Sequence, residues 1–186
     1  MKQKILFISL FINFLMVAQE KCNLKKSIYN DIYAIDTNDI NCIAKNSIKK
    51  NTLFFTFGIW CEPCRIHLPN AIKFAKENDL DFYVLLVEAE NDEKTKQAID
   101  YLKKIKNDIN VVVLKDEIYG VKRSKKNKKF VAEITPKELE NIDDYSKYIL
   151  LNKDGKVLMV TNWKDNKGTD WRDDTEMVKK RILPLL

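Results

Sequence analysis

The sequence predicts an α/β fold, a three-layer sandwich around a central mixed β-sheet. Runs of β-branched and aromatic residues alternate with segments whose apolar residues recur every three or four positions, a pattern typical of parallel strands joined by crossover helices. Two later apolar runs flank Asn152-Lys153-Asp154-Gly155, a hairpin-type turn that adds antiparallel strands. At 186 residues, the chain has room for one domain.

The first strand and helix meet at a pair of cysteines. Residues 52–57 (TLFFTF) are β-branched and aromatic, which favours a strand. Residues 65–77 carry apolar side chains on one stripe, at spacings of three and four, which indicates a helix. The cysteines at positions 61 and 64 therefore lie at a strand-to-helix junction.

The remaining elements continue this alternation. Residues 81–88 and 109–114 are continuous apolar runs, as expected of strands buried on both faces. Residues 91–106, between them, have apolar residues at helical spacing. The hairpin strands and a C-terminal helix are predicted at residues 147–151, 156–161 and 173–183.

The first 18 residues have the pattern of a secretory signal peptide. Lys2 and Lys4 precede an apolar stretch shorter than the ~20 residues that a membrane-spanning helix needs. An uncleaved anchor is the alternative. We expect an exported protein, periplasmic or at the outer face of the cytoplasmic membrane. Residues 19–51 are predicted to form an N-terminal extension covering a sheet edge, and residues 52–186 the main domain.

The chain is basic, with 33 Lys and Arg against 27 Asp and Glu and a net charge of +6. Such a balance suits nucleic-acid binding inside a cell, but export removes that option, so no nucleic-acid partner is expected. The run at residues 122–129 has six basic side chains. It is expected to be a solvated helix or loop that could steer acidic partners.

The sequence Trp60-Cys61-Glu62-Pro63-Cys64 carries the chemistry. A thiol at a helix start faces unpaired N–H groups and the positive end of the helix dipole, which lowers its pKa below the ~8.5 of a free cysteine. The two-residue spacer is short enough for a disulfide across one helical turn. Cysteines outside the cytosol are normally oxidised to disulfides, so thiols that persist there usually have a redox function. A redox-active pair is therefore predicted.

Three other uses of this pair are weaker. A zinc site needs four nitrogen or sulfur ligands, and the chain adds only Cys22, Cys42 and His67, at spacings unlike a zinc ribbon or finger. Covalent haem attachment needs His directly after the second cysteine, where Arg65 stands. A structural disulfide that closes so small a loop stabilises little. No metal and no cofactor are therefore expected.

The segments TLFFTFGIWCEPCRIHLP, VVVLKD, YGV and YILLNKDGKVL, within residues 52–160, resemble the TlpA/ResA-like family of thioredoxin-fold disulfide reductases. The resemblance implies a thioredoxin-like three-layer sandwich in which Cys61 attacks and Cys64 resolves. It also implies that the partners are protein disulfides or thiols, apocytochrome c among them, and an electron donor in the membrane. The Glu-Pro spacer is similar to that of the cytochrome-maturation branch.

Two departures from the family pattern concern the site. Relatives hold a cis proline beside the cysteines, and the hairpin register places Ser146 there. Ser146 is predicted to contact substrate from a trans peptide bond. Phe55 stands where relatives carry Asn and thioredoxin a buried acid, so the proton of Cys64 needs another base. Pro136 is no substitute for the missing proline, because Thr135 and Pro136 have the pattern of a helix start.

Trp60, Glu62, Pro63 and His67 are predicted to tune the redox pair. His67 follows Cys64 by three residues, where relatives often have Glu. It shares a helix face with that cysteine, so its ring could protonate or deprotonate the thiol. The alternative is a partly exposed histidine without a role.

Two further residue pairs carry weaker signals. Cys22 and Cys42 either form a second disulfide or remain separate thiols. Trp163 and Trp171 flank a polar stretch and are predicted to be packing residues rather than ligand stackers.

The predicted function is that of an extracytoplasmic thiol-disulfide oxidoreductase, acting mainly as a reductase of partner proteins. A copper-handling chaperone is the first alternative, because Cys61, Cys64 and His67 are soft and borderline metal ligands near one helix end. A non-catalytic thioredoxin-fold binding module is the second.

Overall fold

The computed structural model describes residues 22–29, 32–168 and 170–186, so the predicted signal peptide lies outside the described residues. Among the described residues, no helix has the length and hydropathy to cross a membrane. Short 3-10 turns lie at Trp163–Asn166 and Leu183–Leu185. The strands and helices are, in chain order, β1 (Lys25–Lys26), β2 (Tyr33–Ile35), α1 (Thr37–Asn46), β3 (Asn51–Phe57), α2 (Glu62–Glu77), β4 (Asp81–Leu86), α3 (Glu93–Ile105), β5 (Asn110–Leu114), α4 (Asp116–Tyr119), α5 (Arg123–Ile134), β6 (Tyr148–Asn152), β7 (Val157–Val160) and α6 (Thr175–Arg181).

The strands form one sheet in the order β1-β2-β5-β4-β3-β6-β7. Strands β2, β5, β4 and β3 run parallel, with α2 and α3 as crossovers between β3, β4 and β5. Strands β1, β6 and β7 pair antiparallel with their neighbours. The sheet is therefore mixed, which confirms the prediction.

Helices cover both faces of this sheet. On one face, Leu68 of α2 shares a buried cluster with Phe55 of β3, and α3 and α6 complete that layer. On the other face, Ile40 of α1 and Phe130 of α5 pack in a cluster with Phe54 of β3. All residues of β3 are buried, because a strand between two helical layers sends alternate side chains into both. The thioredoxin-like three-layer sandwich is thus confirmed.

Residues of the N-terminal segment enter the sheet. Strands β1 and β2 form its edge beside β5. A disulfide joins Cys22, ahead of β1, to Cys42 in α1, with Cα atoms 5.8 Å apart. The side-chain amide of Asn46 donates to the carbonyl oxygen of Cys42 at 3.0 Å. The structure thus decides between the two alternatives for these cysteines in favour of a disulfide.

Pro136 does not begin a helix, and that prediction was wrong. Helix α5 ends at Ile134, and Thr135 caps its C-terminus in an extended conformation. The backbone N–H of Leu139 then donates to the carbonyl oxygen of Pro136 at 3.0 Å, in a turn. Because a residue before proline avoids the α region, Thr135 and Pro136 stop α5 instead of opening a new helix.

The basic run at residues 122–129 is only partly solvated, which corrects the expectation of a solvated helix or loop. Lys126, in α5, has 0% of its surface exposed. Its Nζ donates to the carbonyl oxygen of Glu88 at 2.8 Å and to the carboxylate of Asp116 at 2.6 Å. Burial lowers the pKa of Lys126. Lys126 lies four residues before the buried Phe130, so helical spacing places it on the inward stripe.

Candidate active site

Cys61 and Cys64 form a disulfide at the start of α2, with Cα atoms 5.2 Å apart. Cys61 is the N-cap residue, and its sulfur accepts a hydrogen bond from the backbone N–H of Cys64 at 3.2 Å. Pro63 lies in the first turn, where its missing N–H leaves no helical hydrogen bond unmade. The Cys61 sulfur therefore lies at the positive end of the α2 dipole.

The two cysteines differ in their access to a pocket. Cys61 is 5% exposed and lines a pocket of about 520 Å³, whereas Cys64 has 0% of its surface exposed and is not among the lining residues. Trp163 and Trp171 line the same pocket and are 55% and 40% exposed. Their prediction as packing residues was wrong, because the segment between β7 and α6 that carries them forms turns instead of a strand or helix face.

His67 is buried, with 8% of its surface exposed, so the alternative of a partly exposed ring is wrong. Its Nε2 lies 2.7 Å from the carbonyl oxygen of Trp171, a group to which only a ring N–H can bond. Its Nδ1 lies 2.9 Å from the hydroxyl of Ser146. In the neutral ring, Nε2 therefore carries the hydrogen, and Nδ1 accepts a hydrogen bond from Ser146.

Ser146 lines the pocket next to Cys61, two residues before β6 begins. Within residues 22–29, 32–168 and 170–186 no peptide bond is cis, which confirms the expected trans bond. Ser146 has a φ of 64°, in the left-handed region that favours glycine. Its hydroxyl bonds to His67, an interaction that the sequence did not predict, and its contact with substrate stays a prediction.

Asp174 brings a buried carboxylate to His67. It is 2% exposed, and one of its oxygens lies 3.7 Å from Nδ1 of His67. The hydroxyl of Tyr148 donates to that same oxygen, and the side-chain amide of Asn70 donates to the other oxygen at 2.6 Å. Burial, reinforced by the charge of Asp174, raises the pKa of Tyr148 well above its usual value. Sequence reasoning missed Asp174, because these partners lie 104 and 26 residues away along the chain.

The Redoxin family model matches the chain over residues 35–178. The chain belongs to the Redoxin family. Membership implies a thiol-disulfide oxidoreductase type of function, which the paired cysteines fit. The match begins at the end of β2 and reaches into α6, so it includes Asp174. No curated protein and no solved structure matched in the other comparisons.

Trp60 of this redoxin has a defined orientation beside Cys61. The guanidinium of Arg123 lies 3.9 Å from the centroid of its ring, and the ring of Tyr145 meets it edge-on at 4.8 Å. The indole N–H donates to the carboxyl group of Glu88. A Cβ atom at Gly58 would lie only 2.7 Å from the indole nitrogen, so this junction requires glycine.

Two buried acids lie near the redox pair, in place of an acid on β3. Phe55 of β3 is buried edge-on against Tyr148, with ring centroids 5.0 Å apart, and supplies no base. Glu88, 1% exposed, lies behind Trp60, and burial raises the pKa of its carboxyl group. Asp174 lies behind His67. The sequence pointed to the missing acid at position 55 but not to these two.

Metal ligands are not grouped in the residues that the structure describes. Within them, no cluster of three or more His, Cys, Asp or Glu is placed to hold an ion. The ring nitrogens of His67 face Trp171 and Ser146, and Cys61 is bonded to Cys64. This arrangement does not favour the copper-chaperone alternative over a redox site.

Proposed function

We propose that this redoxin is an extracytoplasmic thiol-disulfide oxidoreductase of the TlpA/ResA type, which acts mainly as a reductase of disulfides in partner proteins. The observation that carries the proposal is the Cys61–Cys64 disulfide at the start of α2. Cys61 lines a pocket, whereas Cys64 is fully buried and does not. Thiol-disulfide exchange needs this difference, because one sulfur must react with the substrate first and the other must react only with the mixed disulfide.

In the reduced protein, the Cys61 thiolate attacks a substrate disulfide, forms a mixed disulfide and releases one substrate thiolate. Cys64 then loses its proton and attacks the Cys61 sulfur. The Cys61–Cys64 bond forms, and the second substrate sulfur leaves with the electron pair of the broken bond. Two electrons have passed to the substrate, and a membrane-bound dithiol donor returns two to the protein.

The location and partners are part of the proposal. The leader-like pattern of residues 1–18 and the Cys22–Cys42 disulfide support export, since disulfides persist outside the cytosol. Proteins with a closely spaced pair of cysteines, apocytochrome c among them, are the proposed substrates. The Cys61–Cys64 disulfide beside the pocket also favours partners with disulfides or thiols over nucleic acid.

The reduced full chain is to be mixed with an oxidised peptide that contains Cys-x-x-Cys-His, the haem-attachment sequence of c-type cytochromes. Mass spectrometry should find one disulfide gained by the protein and one lost by the peptide. Cys64→Ser should accumulate a mixed disulfide at Cys61, and Cys61→Ser should form none. Absence of exchange with the wild-type chain would refute the proposal, as would a mixed disulfide at Cys64 in Cys61→Ser.

A further inference from the structure

The carboxylate of Asp174 is buried beside His67, close to the redox pair. It is 2% exposed and lies 3.7 Å from Nδ1 of His67, and it lines the same pocket as Cys61. We propose that Asp174 is a positioning residue that, through His67, provides the proton acceptor for the Cys64 thiol. This inference rests on the proposed function and deepens it.

The contacts of His67 determine which nitrogen can take the proton. Nε2–H is committed to the carbonyl oxygen of Trp171 at 2.7 Å, so the lone pair is on Nδ1, where it accepts the hydrogen bond of the Ser146 hydroxyl at 2.9 Å. Nδ1 can take a proton once that hydroxyl rotates away. A proton that arrives on Nδ1 makes the ring a cation. Asp174 stabilises that cation inside the protein, where an uncompensated charge would be costly. Without the carboxylate, the ring keeps its place, but the cation that forms on it has no charged partner.

The hydrogen-bond partners of Asp174 are neutral groups, so they do not cancel its negative charge. Asn70 on α2 contributes a neutral amide, and Tyr148 on β6 a hydroxyl whose raised pKa keeps it protonated. Asp173, the adjacent acid, is exposed, and its hydrogen bonds to Thr175 lower its pKa more than the charge of His67 does. The pocket has two other acids: Asp144 forms an ion pair with Lys147, and Glu62 is exposed beside Cys61. Among these groups, His67 is the one that becomes a cation when it accepts a proton beside Asp174.

Cys64 and His67 are three residues apart on α2, which puts their Cβ atoms ~5–6 Å apart on one helix face. In the resolving step, the Cys64 S–H bond breaks and its proton goes to Nδ1. The sulfur keeps the electron pair and forms the bond to Cys61, while the Cys61–substrate bond breaks and its pair leaves on the substrate sulfur. The imidazolium then returns its proton to the leaving thiolate or to water.

Single turnover of the reduced full chain with one equivalent of dithiobis(nitrobenzoate) separates the two steps, because each releases one coloured nitrothiobenzoate. The first release reports attack by Cys61, and the second reports resolution by Cys64. Asp174→Asn is expected to leave the first phase within about twofold and to slow the second about tenfold near neutral pH, a modest general-base effect. The loss should vanish well above pH ~8.5, where a thiol ionises unaided.

Glu176→Gln is the control, since it removes an exposed charge two residues after Asp174 that forms an ion pair with Lys179, and both of its phases should keep the wild-type rates. If Asp174→Asn does not fold, His67→Gln tests the same path, because it keeps the carboxylate and its bonds to Asn70 and Tyr148. It should slow the second phase at least as much, with the same pH dependence. If both single variants fold, the double variant should be no slower than His67→Gln alone.

Several outcomes would overturn the inference. These are an unchanged second phase in a folded Asp174→Asn or His67→Gln, equal slowing of both phases, and a loss that persists at high pH. If the wild-type chain releases no second nitrothiobenzoate, the proposed function fails instead. The two failures are therefore distinguishable.

Discussion

The indole N–H of Trp60 donates a hydrogen bond to the carboxyl group of Glu88, which joins the residue before the redox pair to the chain just after β4. The guanidinium of Arg123 stacks on the same indole at 3.9 Å. These contacts bring a buried carboxyl group and a guanidinium to the strand-to-helix junction. The junction is thus ordered by long-range contacts before any substrate arrives.

Glu88→Gln is expected to raise the melting temperature by a few degrees at pH 7 and to change it little at pH 4. Burial raises the folded-state pKa of Glu88 above its unfolded value. Its contribution to stability is therefore complete below the unfolded pKa and is lost as the pH rises through the folded pKa. Gln removes the charge and keeps an acceptor for Trp60. Glu138→Gln, at an exposed acid, is the control, and a lower melting temperature for Glu88→Gln at pH 7 would contradict the prediction.

Alkylation should distinguish the two cysteines of the site. In the protein whose Cys61–Cys64 bond alone is reduced, iodoacetamide should label Cys61 at least about tenfold faster than Cys64 near neutral pH. The reason is that Cys61 caps α2 and opens to the pocket, whereas Cys64 is fully buried. Peptide mapping by mass spectrometry measures both rates. Faster labelling of Cys64 would reverse the assignment of attacking and resolving thiols.

The redox potential of the pair should lie nearer the ~−270 mV of thioredoxin than the ~−120 mV of a strong oxidant. Glu62 is exposed beside Cys61, and its negative charge opposes excess stabilisation of the thiolate. Glu62→Lys should therefore raise the potential. Glu77→Lys, at the far end of α2, is the control and should not. Equilibration with dithiothreitol buffers gives the values, and a wild-type potential above ~−180 mV would indicate an oxidase or isomerase instead.

Proline should destabilise this protein at position 146. Ser146 has a φ of 64°, whereas proline requires about −65°, so Ser146→Pro should cost about 1–3 kcal/mol of unfolding free energy. Ser146→Gly, which suits a positive φ, should fold normally. Urea denaturation compares the two. Equal stability of both variants would show that the loop before β6 adopts another conformation in solution.

The Cys22–Cys42 disulfide should be structural. Replacing both cysteines by Ser should lower the unfolding free energy by about 3 kcal/mol, because a crosslink between residues 20 positions apart restricts the unfolded chain. The potential of the Cys61–Cys64 pair should stay within experimental error, since the bridge joins the N-terminal segment to α1. A changed potential would mean that the two disulfides are coupled.

Local sequence patterns were sufficient to predict the frame of the site. The strand β3 and the helix α2 are each defined by side chains close together in sequence, through β-branched runs or a period of three to four. The junction that places Cys61 at a helix start could therefore be located without tertiary information. The mixed sheet followed in the same way, because alternating strands and helices and one hairpin turn allow few other arrangements.

Only the tertiary structure decided what surrounds the cysteines. His67 bonds to groups 79 and 104 residues away, and Asp174 contacts side chains on α2 and β6. The burial of Lys126 also depends on distant contacts, because its ion-pair partner Asp116 and the carbonyl of Glu88 belong to other parts of the fold. A periodic pattern tells which side of one element is buried, but the partner of a polar side chain depends on which elements pack together across the sheet. In the local sequence, nothing distinguishes Asp174 from any other acid near a helix start; its contact with α2 exists only in the folded structure.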